Sequence, residues 1–206
     1  AASCSAYSLP AFAQEYRGSV TCAIVDGTAA LINEVPLEEY LAGLAEEPDT
    51  EPYEKQRAFA IAARSYATYY LNPAHRKFPG KPYDGDDSAA RFQLYKGLST
   101  EQANPQWARA VRSTDEQVLT VDGAVIKAAY FSSDDGRTRS PAENGWQDFP
   151  FEEVFMSKPD PWCTGLPLAG HGVGMSGCGA EGQAKEGKTA EAILQYYYPG
   201  TKIEKL

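Results

Sequence analysis

The residues best placed to do chemistry in this 206-residue chain are two histidines, four cysteines and a few carboxyl groups next to apolar positions. The densest cluster is Gly170-His171-Gly172-Val173-Gly174-Met175-Ser176. Glycines this close together mark backbone with positive φ, or backbone pressed against another surface. A flexible linker would carry Ser or another polar residue between them, not an imidazole and large apolar side chains. The segment reads as a loop that lines a site. His171 has the chemistry of an acid, a base or a metal ligand, and equally suits a residue that fixes the loop by a backbone hydrogen bond. His75 lies in a charged stretch and reads as solvated.

Three further groups carry candidate chemistry. Glu46 and Glu47 fall where a helical pattern ends against Pro48; a carboxyl buried there would have a raised pKa and could act as a general acid. By residue type alone, a solvated pair at a helix end is the simpler reading, because most glutamates are exposed. Arg64, inside Ala62-Ala63-Arg64-Ser65-Tyr66, needs a carboxylate or several carbonyls in so apolar a helix. It either orients an acid or staples the helix to a loop. Ser132 to Thr138 is dense in hydrogen-bonding groups and suits a sugar or another polar polymer. A serine hydrolase has little support, since no GxSxG elbow is present. Cys178 as a nucleophile beside His171 competes with a disulfide that explains the residue as well.

The elements that must position these groups follow from periodicity. Val20–Val25 and Ala29–Ile32 read as strands around the turn Asp26-Gly27. Pro36 opens a helix with Leu37, Tyr40, Leu41 and Leu44 at helical spacing, and Pro52 starts a second, alanine-rich helix reaching about Leu71. The stretch 72–87 reads as a long surface loop, and 105–113 as a weak helix. Gln117–Thr120 and Val125–Phe131 read as strands joined by Asp122-Gly123. One or two amphipathic helices are expected between Ala180 and Tyr198. Strands and helices mix without regular alternation, so the expected fold class is α+β: a single domain of short strands and helices around a substrate cleft. Residues 1–16 are assigned to an N-terminal arm and 17–206 to the domain.

A net charge of −9 argues against nucleic-acid or anionic-membrane partners, with Arg137–Arg139 the one short basic stretch. No apolar run is long enough to span a bilayer. No secretory leader is read at Ala1, the pattern expected of a mature or trimmed form. The cysteines allow three pairings, of which the sequence-near one, Cys4–Cys22 with Cys163–Cys178, is preferred. Their number, with thirteen tyrosines and three tryptophans, leans toward an extracytoplasmic protein, in the cell envelope or secreted.

Taken in order, the segments resemble the SpoIID/LytB family from about Arg17 to the C-terminus. Val35-Pro36-Leu37-Glu38-Glu39-Tyr40-Leu41 is similar to its opening helix motif, and Ala58–Tyr66 to its A-x-A-A-R-T-Y helix. Gln93-x-Tyr95-x-Gly97 resembles Q-x-Y-x-G. Tyr130-Phe131-Ser132-Ser133 with Gly136-Arg137-Thr138 and Glu143 resembles Y-F-x-S-x-G-G-x-T…E. Gly170–Ala180 resembles G-H-G-V-G-M-S-Q-x-G-A, and Tyr197–Thr201 the closing Y-Y-P-G-T. Three departures stand out. The stretch between Gly43 and Glu46 is two residues short, the segment Pro161–Gly170 is brief, and Cys178 stands where an aromatic or polar residue is common.

The resemblance implies a lytic transglycosylase that cuts the MurNAc–GlcNAc β-1,4 bond of peptidoglycan glycan strands, preferably stripped of stem peptides, leaving 1,6-anhydro ends. Counting back from Arg64 places Glu46 on the family's acid, with Glu47 where methionine is usual. Arg64, assigned with Glu46 to the catalytic residues, and Tyr66, assigned to substrate binding, are expected near the acid in support of it. Gln93, Tyr95, Ser132, Ser133, Thr138, His171, Met175 and Ser176 are expected along the groove, as contacts or loop anchors. No cofactor is implied, and no metal is carried over, because 72–87 lacks the His/Cys cluster that binds zinc in some members. The alternative is a non-catalytic glycan-binding module or enhancer of a cell-wall amidase.

Overall fold

The structure, a computed structural model, describes residues 15–206. An antiparallel hairpin comes first: β1 (Ser19–Val25) and β2 (Thr28–Glu34) pair from Ser19↔Glu34 to Val25↔Thr28. Asp26 and Gly27 between them have φ of 51° and 80°, the conformation a two-residue hairpin turn requires. Pro36 then caps α1 (Leu37–Ala42), its fixed φ being compatible with a helix start.

The centre of the molecule is α2 (Tyr53–Leu71), which begins directly after Pro52. Ala58, Ala60, Ala62 and Ala63 are fully buried on successive faces, together with Ile61 and nearly all of Phe59. Small residues on every face let neighbours approach from all sides, and a helix apolar all round is a buried one. Those neighbours are α1, α4 (Pro105–Ser113), α5 (Gly177–Lys185), α6 (Ala190–Tyr197) and β3 (Gln117–Val121). Trp107 of α4 is completely buried, and its indole N–H donates to the Leu41 carbonyl at 3.0 Å. Burial of an aromatic side chain of this kind contributes roughly 1.5–3 kcal/mol. β3 pairs with β4 (Ala124–Val125) on one edge and with the C-terminal β7 (Lys202–Lys205) on the other.

The α+β expectation holds, and the hairpin, α1, α2, α4, α5 and α6 lie close to where periodicity placed them. The stretch Val125–Phe131, expected as one strand, is two. Val125 pairs with Thr120 of β3, whereas Tyr130 and Phe131 form β5 and pair in parallel with Met175 and Ser176 of β6. The chain changes partner between them, which breaks the ladder. A short helix α3 (Leu98–Ala103) and the strands β6 and β7 carried no period long enough to read. The 72–87 stretch is a loop apart from one 3-10 turn, Pro73–His75. Residues 1–14, most of the expected arm, lie outside the described residues; Glu15 offers its carbonyl to Leu98 N–H at 2.7 Å. Cys163 and Cys178 are disulfide-bonded, as expected, while Cys4, the expected partner of Cys22, is outside the described residues.

Candidate functional site: a carboxyl held by neutral donors in an aromatic groove

A groove of about 1140 Å³ crosses the face where α2, β5, the turn before Pro150 and the glycine loop meet. Glu46 lies on its wall. After α1 the chain runs antiparallel to 93–96: Ala45 N–H donates to the Leu94 carbonyl at 2.8 Å, and Lys96 N–H to the Gly43 carbonyl at 2.9 Å. Gln56 of α2 donates to the Pro48 carbonyl at 2.9 Å, pinning Glu46-Glu47-Pro48 from the other side. Asp49 then accepts from the first free amides of α4, Gln106 at 2.6 Å and Trp107 at 3.0 Å. An acidic side chain there satisfies orphan helix donors and favours the helix dipole. The acid-bearing stretch is thus tied to three separate elements.

Glu46 has two partners, both uncharged. Tyr130 donates its phenol to Oε2 at 2.7 Å, and the Leu94 amide donates to Oε1 at 3.1 Å. Burial pushes the carboxyl above its usual range, and the two hydrogen bonds hold it back in part. Gln93 fixes the direction of the phenol proton. Its amide nitrogen donates to the Ala63 carbonyl (3.2 Å), which can only accept, so that atom must be the NH2. The same nitrogen donates to the Tyr130 oxygen at 2.9 Å, leaving the phenol hydrogen for Glu46. The Gln93 carbonyl oxygen accepts from the Tyr40 hydroxyl at 2.9 Å.

Glu47 faces a different setting. It is 5% exposed, ion-paired with Lys55 at 3.4 Å, and Lys55 pairs also with Glu51 at 3.0 Å. Its Oε2 and that of Glu51 lack a well-aligned hydrogen bond, so the trio is held by charge alone. Burial outweighs Lys55 and pushes Glu47 up to about 7.

The glycine loop forms the far wall. Gly174 has φ of 80°, and a Cβ there would stand 1.9 Å from the Ala129 carbonyl oxygen, so only glycine fits. His171 accepts the Val173 amide proton on Nδ1 at 3.0 Å and packs edge-on to Trp146, with centroids 4.9 Å apart. Burial lowers its pKa to about 4; a Tyr130 backbone group opposes this, and Lys127 and Lys77 add to it. His171 is therefore a neutral loop anchor and hydrogen-bonding wall at neutral pH, with no proton to give as an acid.

Of the residues expected at the site, Glu46, Tyr66, Ser132, Ser133, His171 and Met175 line the groove. Arg64 does not. It is fully buried, and its guanidinium grips Glu38 of α1 with both arms, at 2.6 and 2.7 Å, and donates to the Val111 and Gln117 carbonyls. This corrects the expectation of a catalytic Arg64: the carboxylate it orients belongs to the α1–α2 staple. Gln93 is buried behind Tyr130, and Tyr95 turns away to Asn33 at 2.7 Å, stacking on Tyr40. Thr138 is bound to the Lys158 backbone. Ser176 caps α5 through Gly179 N–H and touches both cystine sulfurs. These four hold the scaffold instead of lining the groove. Ser133 combines both roles, donating to the Pro167 carbonyl at 2.8 Å.

Sequence reasoning missed Tyr130 as the partner of Glu46, although it stood in a quoted motif, and missed Lys77, Lys127 and Trp146 along the groove. Lys77 sits in the charged stretch His75-Arg76-Lys77 and gives no signal, whereas Lys127 is the one charge in the apolar run Val125–Phe131 and could have been found on that ground. Asp134, Asp160 and Cys163 also converge, within 4.8 Å, but the cystine occupies the Cys163 sulfur and leaves no thiolate to bind a metal. Asp160 accepts from Tyr197 at 2.9 Å; burial, with Asp134 beside it, pushes it up to about 7.

The family model described as SpoIID, stage II sporulation protein, matches residues 25–121. Stage II sporulation protein D of Bacillus subtilis is 26% identical over 261 residues, covering 84% of this chain and 75% of that protein. Stage II sporulation protein D of Bacillus amyloliquefaciens is 30% identical over 128 residues, 56% of this chain and 36% of that protein. An uncharacterized protein of Brachyspira hyodysenteriae is 34% identical over 133 residues, 63% of this chain and 34% of that protein. The chain thus matches about a third of the length of two of these relatives and three quarters of the other. With the family model covering α1, α2 and the Glu46 stretch between them, these matches support assignment of the chain to the SpoIID family.

Proposed function

We propose that the protein is an extracytoplasmic lytic transglycosylase acting on peptidoglycan glycan strands, with Glu46 as its acid and base. The supporting observation is the setting of Glu46: a groove-wall carboxyl raised by burial and held only by neutral donors, so its proton is available to a bound glycan. Protonated Glu46 donates to the glycosidic oxygen as the C1–O bond breaks and an oxocarbenium-like centre forms. The C6 hydroxyl of the same sugar bonds to C1 and returns its proton to the Glu46 carboxylate. No water is consumed, and the product carries a 1,6-anhydro ring. One carboxyl suffices for this route, whereas an inverting hydrolase needs a second across the sugar to activate water. Glu47, engaged with Lys55 and almost wholly buried, is poorly placed for that second role.

Tyr130 and Gln93 act as positioning residues that keep the carboxyl in one orientation. Aromatic faces from Phe59, Tyr66, Trp146 and Phe149 suit the apolar faces of pyranose rings, and Ser132 and Ser133 suit their hydroxyls. Mass spectrometry of peptide-stripped strands incubated with wild type and with Glu46→Gln tests the reading. Anhydro-ended fragments from wild type alone are expected. Reducing-end fragments would mean hydrolysis, and strands bound but uncut by wild type would mean a binding module.

A further inference from the structure

Lys77 and Lys127 are unusual among the cations of the groove. Lys55 is paired with Glu47 and Glu51, and Arg91 with Asp86. Lys77 and Lys127 have no carboxylate partner among the described residues, in a chain with 28 acidic groups. Both are half-buried. The Lys77 ammonium donates to the Tyr66 hydroxyl at 2.7 Å and lies 5.2 Å from the Tyr70 ring centre. The Lys127 ammonium lies 5.7 Å from the same ring, 5.6 Å from Trp146 and 4.4 Å from Phe149. Two like charges thus pack on one tyrosine ring. Aromatic faces attract a cation but do not neutralise it. Burial lowers both ammonium pKa values, that of Lys77 to about 8 with Lys127 adding to the effect, so the pair lacks an anion that would relieve both costs.

We infer that Lys77 and Lys127 form an anion subsite in the groove that recognises a free carboxylate substituent on the glycan. This rests on the glycan-strand reading above. In a peptidoglycan strand the matching group is the lactyl carboxyl of MurNAc. It is an amide, and uncharged, wherever a stem peptide is attached, and a carboxylate once the peptide is removed. The lysine pair therefore supplies a physical basis for distinguishing stripped from substituted strands: an ammonium gains a charge-assisted hydrogen bond with the carboxylate and no comparable one with the amide. Tyr66 carries the connection to the acid, because its hydroxyl holds Lys77 while its ring stands 6.0 Å from that of Tyr130, the Glu46 partner.

The test uses the full chain carrying Glu46→Gln, which reads binding without cleavage. It is titrated with peptide-stripped strands and with the same strands after conversion of their lactyl carboxylates to methylamides. The expected result is about ten- to hundredfold tighter binding of the carboxylate form. Adding Lys127→Met or Lys77→Met should shrink that preference at unchanged thermal unfolding, and Lys127→Arg should restore most of it. Equal binding of both strand forms by the parent protein, or a preference that survives both methionine substitutions, would overturn the subsite and leave the glycan reading intact. Binding of neither form would overturn both. Discrimination in binding, with wild type leaving the strands uncut, would support the subsite and sink only the transglycosylase chemistry.

Discussion

Glu38 and Glu46 lie on one short stretch of chain, and the structure uses them in opposite ways. Glu38 meets the fully buried guanidinium of Arg64 with both oxygens, at 2.6 and 2.7 Å. Glu46 meets a phenol and a backbone amide, neither of them charged. A guanidinium binds the ionised form and turns the carboxylate into a clamp between α1 and α2. Neutral donors in a buried setting leave the charge uncompensated, so the proton binds more tightly than usual. Residue type and burial alone do not separate a staple from an acid; the charge of the partner does.

The comparison can be broken most directly by mutation. Glu46→Gln is expected to lower strand cleavage by about 10²–10⁴-fold, the usual contribution of a general acid, with urea unfolding unchanged. The reverse pattern is expected of Arg64→Met. It should lose about 3 kcal/mol of stability in urea unfolding, since it removes one partner of an ion pair and orphans two carbonyls. Cleavage per folded molecule should then remain within about tenfold of wild type, a residue remote from the groove giving no larger transition-state loss. Equal losses of activity in the two variants at full stability would dissolve the distinction.

Two smaller effects sharpen it. Glu47 has its folded-state pKa raised from 4.5 to about 7. Between those values the native state holds a proton that the unfolded state has lost. The stability this contributes is therefore full below pH 4.5 and lost as pH rises through about 7. Glu47→Met should accordingly stabilise more at pH 8 than at pH 5, by on the order of 2 kcal/mol, in paired urea titrations. Tyr130→Phe removes a hydrogen bond to the ionised Glu46 and so raises its pKa further. Because the acid works protonated, the alkaline limb of the pH–rate profile should move to higher pH, by less than about one unit. A limb that moves down would mean that Tyr130 does not favour the ionised form.

Much of this was legible from residue order. Pro36, Pro52 and the Asp-Gly turns announce the elements because each fixes a local φ, and the alanine run of α2 announces a helix approached on all sides. Glu46 was found through motif spacing, since nothing in its own type marks it. Arg64 shows the limit of that reasoning. Its burial was readable from Ala62-Ala63-Arg64-Ser65, but its partner lies on α1, and pairing across elements has no period in the sequence. The division of Val125–Phe131 between two sheets, and the meeting of Lys77 with Lys127 over Tyr70, are likewise tertiary facts.

The Cys163–Cys178 bond has a practical consequence for anyone handling the protein. It closes a loop with a sequence separation of 15 and joins the start of α5, on the groove wall, to the turn Pro161–Cys163, in which Cys163 is fully buried. A cross-link of that span stabilises by about 3 kcal/mol in the chain-entropy account. Samples kept in reductant and samples purified under air are thus two different preparations, with the entrance to α5 tethered in one and released in the other. Every titration and rate measured on this groove should therefore state the thiol count of the material used.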